Sequence, residues 1–219
     1  MSSTRDSIKW YPRVTVLRYS QDQTRWAQRR LFMRRLHGDV LQTLFPGGPE
    51  DGIARDEGNS MVNGGLTNLI NLLTGAAPSG ATGRPLTLGA GGGTSGSACI
   101  GVGADGTTAF DPTQVHLANA SGEGSTHSWY QSMDTGYPTL STPATINAQS
   151  TFQAGDANFS WLEWCWVSGA GVPTAGAVLG SVYATGGSAA MMNRKIPVSG
   201  LGQKMAGAAW VFQCAVTFS

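Results

Sequence analysis

Few residues of this chain are of a type and spacing to do chemistry. Glu163 comes first, because it sits among Trp161, Trp164 and Trp166. A carboxyl group buried in such surroundings has a raised pKa, as some general acids do. No second carboxylate lies beside it in sequence to complete the pair that glycoside hydrolysis uses. The simpler expectation is that Glu163 pairs with Arg194 or Lys195, or lies at a subunit contact. A fully buried Glu163 that opens on no cleft would end the case for a hydrolase of surface polysaccharide. His37, His116 and His127 fall in separate segments, His37 on the basic helix beside a Gly and the other two with no carboxylate at ligand spacing, so no metal site is expected. Cys99, Cys165 and Cys214 are odd in number and lack a CxxC spacing, which makes them buried thiols rather than zinc ligands or disulfide partners. The run from Gly89 to Gly96 lacks the GK[ST] ending of a phosphate loop, and Gly101 to Gly106 matches GxGxxG without a surrounding βαβ unit. No catalytic residue, metal or cofactor is expected.

Two sets of residues are better suited to contact than to catalysis. Arg25, Arg29, Arg30, Arg34 and Arg35 crowd one short stretch, with Trp26 beside them. Arg25/Arg29 and Arg30/Arg34 are four residues apart and repel one another on an isolated helix. The stripe is read as a solvated face, as a contact for an acidic protein surface, or as a nucleic-acid contact. Nucleic acid is the least favoured, because a net charge of +1 gives little long-range steering. Trp26 would anchor an interface. The second set is Trp129, Tyr130 and Tyr137, which are stacking platforms for sugar rings if exposed and packing or subunit contacts if not.

The elements that must position these residues are legible in outline. Arg13 to Tyr19 alternates weakly, as a short strand does. One helix is expected from Gln21 to Leu44, where Phe32, Met33, Leu36, Val40, Leu41 and Leu44 recur at three- and four-residue steps. Pro46 and its neighbouring glycines stop it, and residues 46–58 read as a polar linker. A second helix is expected after Asn59 or Ser60, with Val62, Leu66, Leu69, Ile70 and Leu73 as its stripe and Gly75 at its end. Residues 76–98 read as a long Gly-rich connection. Beyond Cys99 the signals are β: Cys99–Gly103, Thr145–Phe152, and Phe159–Val167, which is aromatic on both faces. The last segment is the cleanest, with Trp210, Phe212, Cys214, Val216 and Phe218 on one face at period two. The predicted fold is mainly β: an antiparallel β-sandwich or jelly-roll-like body over 99–219, preceded by a basic helical arm over 1–57 and a short helix with its connection over 58–98.

Charge is divided unevenly between these parts. Ten of the fourteen Lys and Arg fall in the first 57 positions, and the chain as a whole is only 12% charged against a typical ~25%. A nearly uncharged, Gly-rich body lacks the charges that keep a free surface soluble and patch-free, and so reads as an assembly part pressed against copies of itself or partners. The start, MSSTRDSIKWYPR, has no apolar signal-peptide core, and no stretch approaches a membrane span. A soluble chain made in a reducing cytosol is therefore expected.

Residues 60–219 carry a further likeness. The pieces are Asn68–Gly75, Ile100–Gly103 with Thr107–Phe110 and Gln114, Met133–Pro138, Thr151–Phe152, Gly155–Trp164, Met192–Lys195 and Leu201–Lys204. In these the chain resembles a group of tailed-bacteriophage virion proteins. The resemblance implies a non-enzymatic structural part of the virion, with other virion proteins (major capsid or tail proteins) as partners, no membrane, and a homo-oligomer of which a trimer is the first guess. It carries no catalytic residues, and residues 1–57 lie outside it. A capsid decoration or cement protein is the favoured role, because a compact β body with a reaching arm suits clamping many equivalent sites. A tail, collar or baseplate accessory protein is the alternative, as is a receptor- or glycan-binding module carried by the particle.

Overall fold

The computed structural model describes residues 10–58, 60–63, 65–66, 97–114, 116–118, 128–141, 144–170 and 190–218. Among these the fold is mainly β, and every paired strand is antiparallel. The largest sheet has five strands. At its middle is β13 (Ala209–Phe218), the terminal segment of period-two alternation. It pairs on one side with β1 (Trp10–Tyr19) over ten residues, from Trp10 opposite Phe218 to Tyr19 opposite Ala209. On the other side it pairs with β7 (Thr145–Phe152), so that Phe212 faces Ser150 and Cys214 faces Ala148. The edges are β2 (Ile53–Glu57) on β1 and β6 (Thr139–Ser141) on β7.

A second sheet of four strands runs β10 (Ala190–Met191), β9 (Glu163–Ala170), β4 (Ser97–Gly103) and β5 (Ser128–Ser132). Alternation explains why β9 is aromatic and apolar on both sides. Trp164 and Trp166 join Ile100, Val102, Val14, Val16, Phe212 and Val216 in the principal core, which draws from both sheets. Cys165 and Val167 face the other way, into a smaller cluster with Cys99, Tyr130, Leu117 and Met191. All three cysteines are buried and free, and burial pushes the Cys99 thiol up to about 12. Two small ribbons complete the strands, β3 (Ser60–Met61) with β11 (Asn193–Arg194) and β8 (Ser160–Trp161) with β12 (Gly202–Gln203).

The N-terminal third departs from expectation in three ways. The polar linker expected over 46–58 contains β2, whose Ala54 and Arg55 lie opposite Val16 and Thr15. Residues 10–57, expected as an arm, supply two strands of the main sheet through β1 and β2. The single long helix is two: α1 (Gln21–Leu31) and α2 (Gly38–Leu44). The break has a tertiary cause. Gln153 grips the backbone of Leu36 twice, accepting from its N–H at 2.8 Å and donating to its carbonyl at 2.7 Å. Asp134 accepts from the N–H of Gly38 at 3.2 Å. Gly38 itself fits because it has no side chain: a Cβ there would collide with Gln149 and Val211. These bonds lay α2 against the sheet, so Leu36 and Leu41 are buried with Leu17, Tyr19, Ala27 and Val211, while Phe32 and Met33 are left outside. The stripe of the second expected helix falls mostly on residues 67–75, outside the described residues, as does the Gly89–Gly96 run.

Candidate functional site

Helix α1 begins in a capping box: Ser20 Oγ accepts from the N–H of Gln23, and the Gln23 side chain accepts from the N–H of Ser20. The helix buries only Gln23, Thr24 and Ala27. Thr24 Oγ1 accepts from the N–H of Ala209 at 2.8 Å, which pins the helix to the start of β13. The opposite side therefore faces solvent. There Arg25, Arg29 and Arg30 on the helix, and Arg34 and Arg35 just beyond it, are all exposed. No carboxylate among the described residues is paired with any of the five. Arg30 lies over the ring of Trp26 at 5.4 Å, and Trp26 leans on Phe45 at 5.5 Å while staying 46% exposed. Arg25, Gln28, Arg29, Met33 and Arg34 line a shallow recess of about 280 Å³. The structure leaves all six residues proposed for partner contact exposed, with Arg25, Arg29 and Arg34 around the recess and Arg30 on Trp26. It adds two that the expected apolar stripe contained, Met33, which lines the recess, and Phe32. Phe32 ends the helix with φ +53°, in the left-handed region, and is 96% exposed.

The aromatic set fares differently. Trp129 is 9% exposed and Tyr130 is fully buried, so neither can stack on a sugar. Both sit on β5, whose strand is covered on both faces, Trp129 in the main core and Tyr130 in the smaller cluster. Tyr137 alone of the three reaches an open groove, one of about 490 Å³ on the outer face of the main sheet, shared with Arg13, Thr15, Asn147, Gln149 and Gln213. Its hydroxyl donates to Asp39 at 3.2 Å, and burial together with that nearby carboxylate raises its pKa.

Beneath the surface, among the described residues, lie two buried cations, Arg194 and Lys204. Glu163 and Arg194 are both fully buried and paired, Nε to Oε2 at 2.6 Å. Arg194 also donates to the carbonyls of Thr108 (2.8 Å) and Ala109 (3.2 Å), and Glu163 accepts from the N–H of Ala118 at 3.1 Å. The pair thereby ties the segment after β4 on to the second sheet. Gly103, opposite Glu163 in the ladder, has no room for a Cβ because the carboxylate occupies that space. Of the partners considered for Glu163, Arg194 is the one found. So buried and so engaged, Glu163 is closed to a substrate, and the general-acid reading of it fails.

The second cation is Lys204, which sequence reasoning did not single out. It is 1% exposed, and its Nζ donates to the Gln153 carbonyl at 2.8 Å and to Asn158 Oδ1 at 2.9 Å. Burial lowers its pKa to about 8 against the opposing pull of Asp156. The turn that receives it is held by an acidic side chain on its own backbone: Asp156 Oδ2 accepts from the N–H of Gln153 at 2.8 Å. A lysine in a nearly uncharged stretch was the only signal available, and it does not distinguish a buried amine from a solvated one.

Among the described residues no three His, Cys, Asp or Glu side chains gather as a metal site would require, and no helix is long and apolar enough to cross a membrane. His37 is the residue before α2, His116 lies close to the Leu117 carbonyl, and His127 falls outside the described residues. Comparison with protein families, with curated proteins and with solved structures finds no match to this chain.

Proposed function

We propose that this chain is a non-enzymatic structural protein of a tailed-bacteriophage particle that docks on a neighbouring virion protein through the basic, aromatic end of α1. The observation that carries the docking surface is Phe32. A bulky residue in the left-handed region is strained where glycine would not be. A fully exposed phenyl ring gains nothing from folding. Phe32 is unfavourable to the free chain on both counts, and it stands near exposed arginines that no carboxylate of the described residues pairs, and near a half-exposed Trp26. Aromatic and arginine side chains together are the usual anchors of a protein interface. The partner that fits is an acidic surface with an apolar pocket. The virion assignment itself rests on the resemblance of residues 60–219.

The body is read as a β-sandwich, on the ground that inward residues of both sheets share one core. A capsid decoration or cement protein remains the favoured role, with homo-oligomeric assembly. The test is copy number in purified particles, by quantitative mass spectrometry of separated heads and tails. Hundreds of copies tracking with heads are expected. A few dozen tracking with tails would move the protein to the collar or baseplate, and absence from both would overturn the reading.

A further inference from the structure

Beside α2 the outer face of the main sheet opens on the groove of about 490 Å³ that Tyr137 borders. Strand register sets its floor. Arg13, Ala215, Asn147 and Thr139 lie abreast on β1, β13, β7 and β6, and Thr15, Gln213 and Gln149 form the row beside them. Ala215 has the shortest side chain of its row, which leaves a hollow between Arg13 and Asn147. The polar groups around this hollow are fixed from below. Gln149 is fully buried, donates through Nε2 to Asp39 at 3.1 Å and Asp134 at 3.0 Å, and accepts at Oε1 from Gln213 Nε2 at 2.8 Å. That last bond orients the Gln213 amide and leaves its oxygen without a partner among the described residues. Asn147 repeats the pattern, donating to Ser141 Oγ at 3.0 Å through its amide nitrogen. Arg13 is exposed and pairs with no carboxylate among the described residues, although Glu57 lies opposite it on β2.

We propose that this groove is a binding site for an acidic oligosaccharide, one that carries a uronate- or sialate-type carboxylate. Its lining offers the guanidinium of Arg13, the amide oxygens of Gln213 and Asn147, and the hydroxyls of Thr15 and Thr139. A hydroxyl-rich ligand satisfies such a mixed set, because each hydroxyl both donates and accepts. Arg13 is the one ionic group of the lining, so the groove favours a negative charge. A guanidinium fork takes a carboxylate through parallel N–H bonds. Tyr137 adds an aromatic surface for the C–H side of a sugar ring, and its hydroxyl bond to Asp39 holds it at the groove's edge. Other ligand classes fit less well. A phosphate-rich molecule calls for several cations or a cradle of backbone N–H groups, and the N–H groups of these strands are engaged in the ladders. An extended peptide adds to the edge of a sheet rather than its face. The volume lies within the ~300–1,000 Å³ of small-ligand sites. Because strands and buried bonds hold the groups in place beforehand, binding orders little of the protein. None of the arginines of α1 lines the groove, so the inference stands apart from the docking surface and from the virion reading.

The full-length chain is tested on an array of uronate-bearing, sialate-bearing and uncharged oligosaccharides, and a bound member is then titrated by ligand-observed NMR. Binding of acidic members is expected. Arg13→Ala is expected to weaken it by roughly tenfold to a hundredfold, as loss of a hydrogen bond to a charged group does. Ala215→Phe fills the hollow from the solvent side of the sheet and is expected to abolish binding with the melting temperature unchanged. Gln213→Ala, which removes the orphan amide oxygen, is expected to weaken binding too, and it decides the matter if Ala215→Phe does not fold. Arg29→Glu with Arg34→Glu is expected to leave the sugar bound as in wild type. An array on which no acidic member binds overturns the proposal, and so does binding of uncharged members alone. Binding that survives both Arg13→Ala and Gln213→Ala, or that vanishes with the arginines of α1, also overturns it, because the sugar then sits elsewhere.

Discussion

Glu163 and Arg194 show what a buried ion pair contributes and what it does not. Taking two charges out of water offsets most of their attraction, but removing one partner strands the other. Glu163→Gln is therefore expected to lower unfolding free energy by about 3–5 kcal/mol, read from urea denaturation. Replacing both together, Glu163→Leu with Arg194→Met, is expected to recover much of that loss, since neither charge is then left alone. The neighbouring Gly103→Ala forces a methyl group into the space of the carboxylate and is expected to lose roughly 1–3 kcal/mol, as overpacked cores do. Asp105 gives the acid dependence. Burial pushes its pKa up, but the hydrogen bonds it accepts from Thr107 and Thr108 outweigh that and hold the carboxyl well below its ordinary 3.8. A depressed folded-state pKa means that the folded chain binds fewer protons, so this contribution is complete above 3.8 and is lost as the pH falls below it. A shallower acid limb in thermal melts of Asp105→Asn is the expected result. An unchanged limb would show that the Thr107–Thr108 turn does not couple to folding.

At the scale of elements, α1 is a helix held by its ends. It buries no large apolar side chain, so its capping box carries an unusual share of its stability. Ser20→Ala is expected to destabilise by about 1 kcal/mol. At the other end Phe32→Gly is expected to stabilise the free chain by roughly 0.5–1 kcal/mol, because glycine relieves the left-handed strain while losing no buried contact. The same substitution is expected to weaken partner binding. A variant that melts higher and still binds as wild type would remove Phe32 from the interface. The break between α1 and α2 was not legible in the sequence. The three- and four-residue spacing continues from Phe32 to Leu44, and only the grip of Gln153 on Leu36, 117 positions away, turns the chain. The strand β2 was hidden for the related reason that Ile53–Glu57 has few apolar residues and gains its regularity from β1.

For the molecule as a whole, charge segregation becomes a spatial statement. The arginines of α1 lie on the solvent side of a helix whose other side is pinned to β13, so the basic end projects from the main sheet. Arg29→Glu with Arg34→Glu is expected to abolish capture by the partner at physiological salt without lowering the melting temperature. Wild-type binding is expected to weaken steadily as salt rises, because exposed charges are screened. A salt-independent interaction would mean that the aromatic residues act alone.

The sequence by itself determined the mainly β character, the strands β1, β4, β7 and β13, the burial of the three cysteines and the grouping of the arginines. Each of these follows from residue type and local periodicity, which a chain carries wherever it folds. The one strand expected over Phe159–Val167 is divided at Leu162 into β8 and β9, which pair in different sheets. Tertiary structure alone decided the rest. It enclosed Trp129 and Tyr130, which period two cannot do when both faces of a strand are covered. It chose Arg194 for Glu163, broke the long helix, and drew Lys204 against Asn158. All four depend on which distant segments meet, and that is fixed by the pairing of β1 with β13 and the packing of two sheets on one core, neither of which leaves a mark on local spacing.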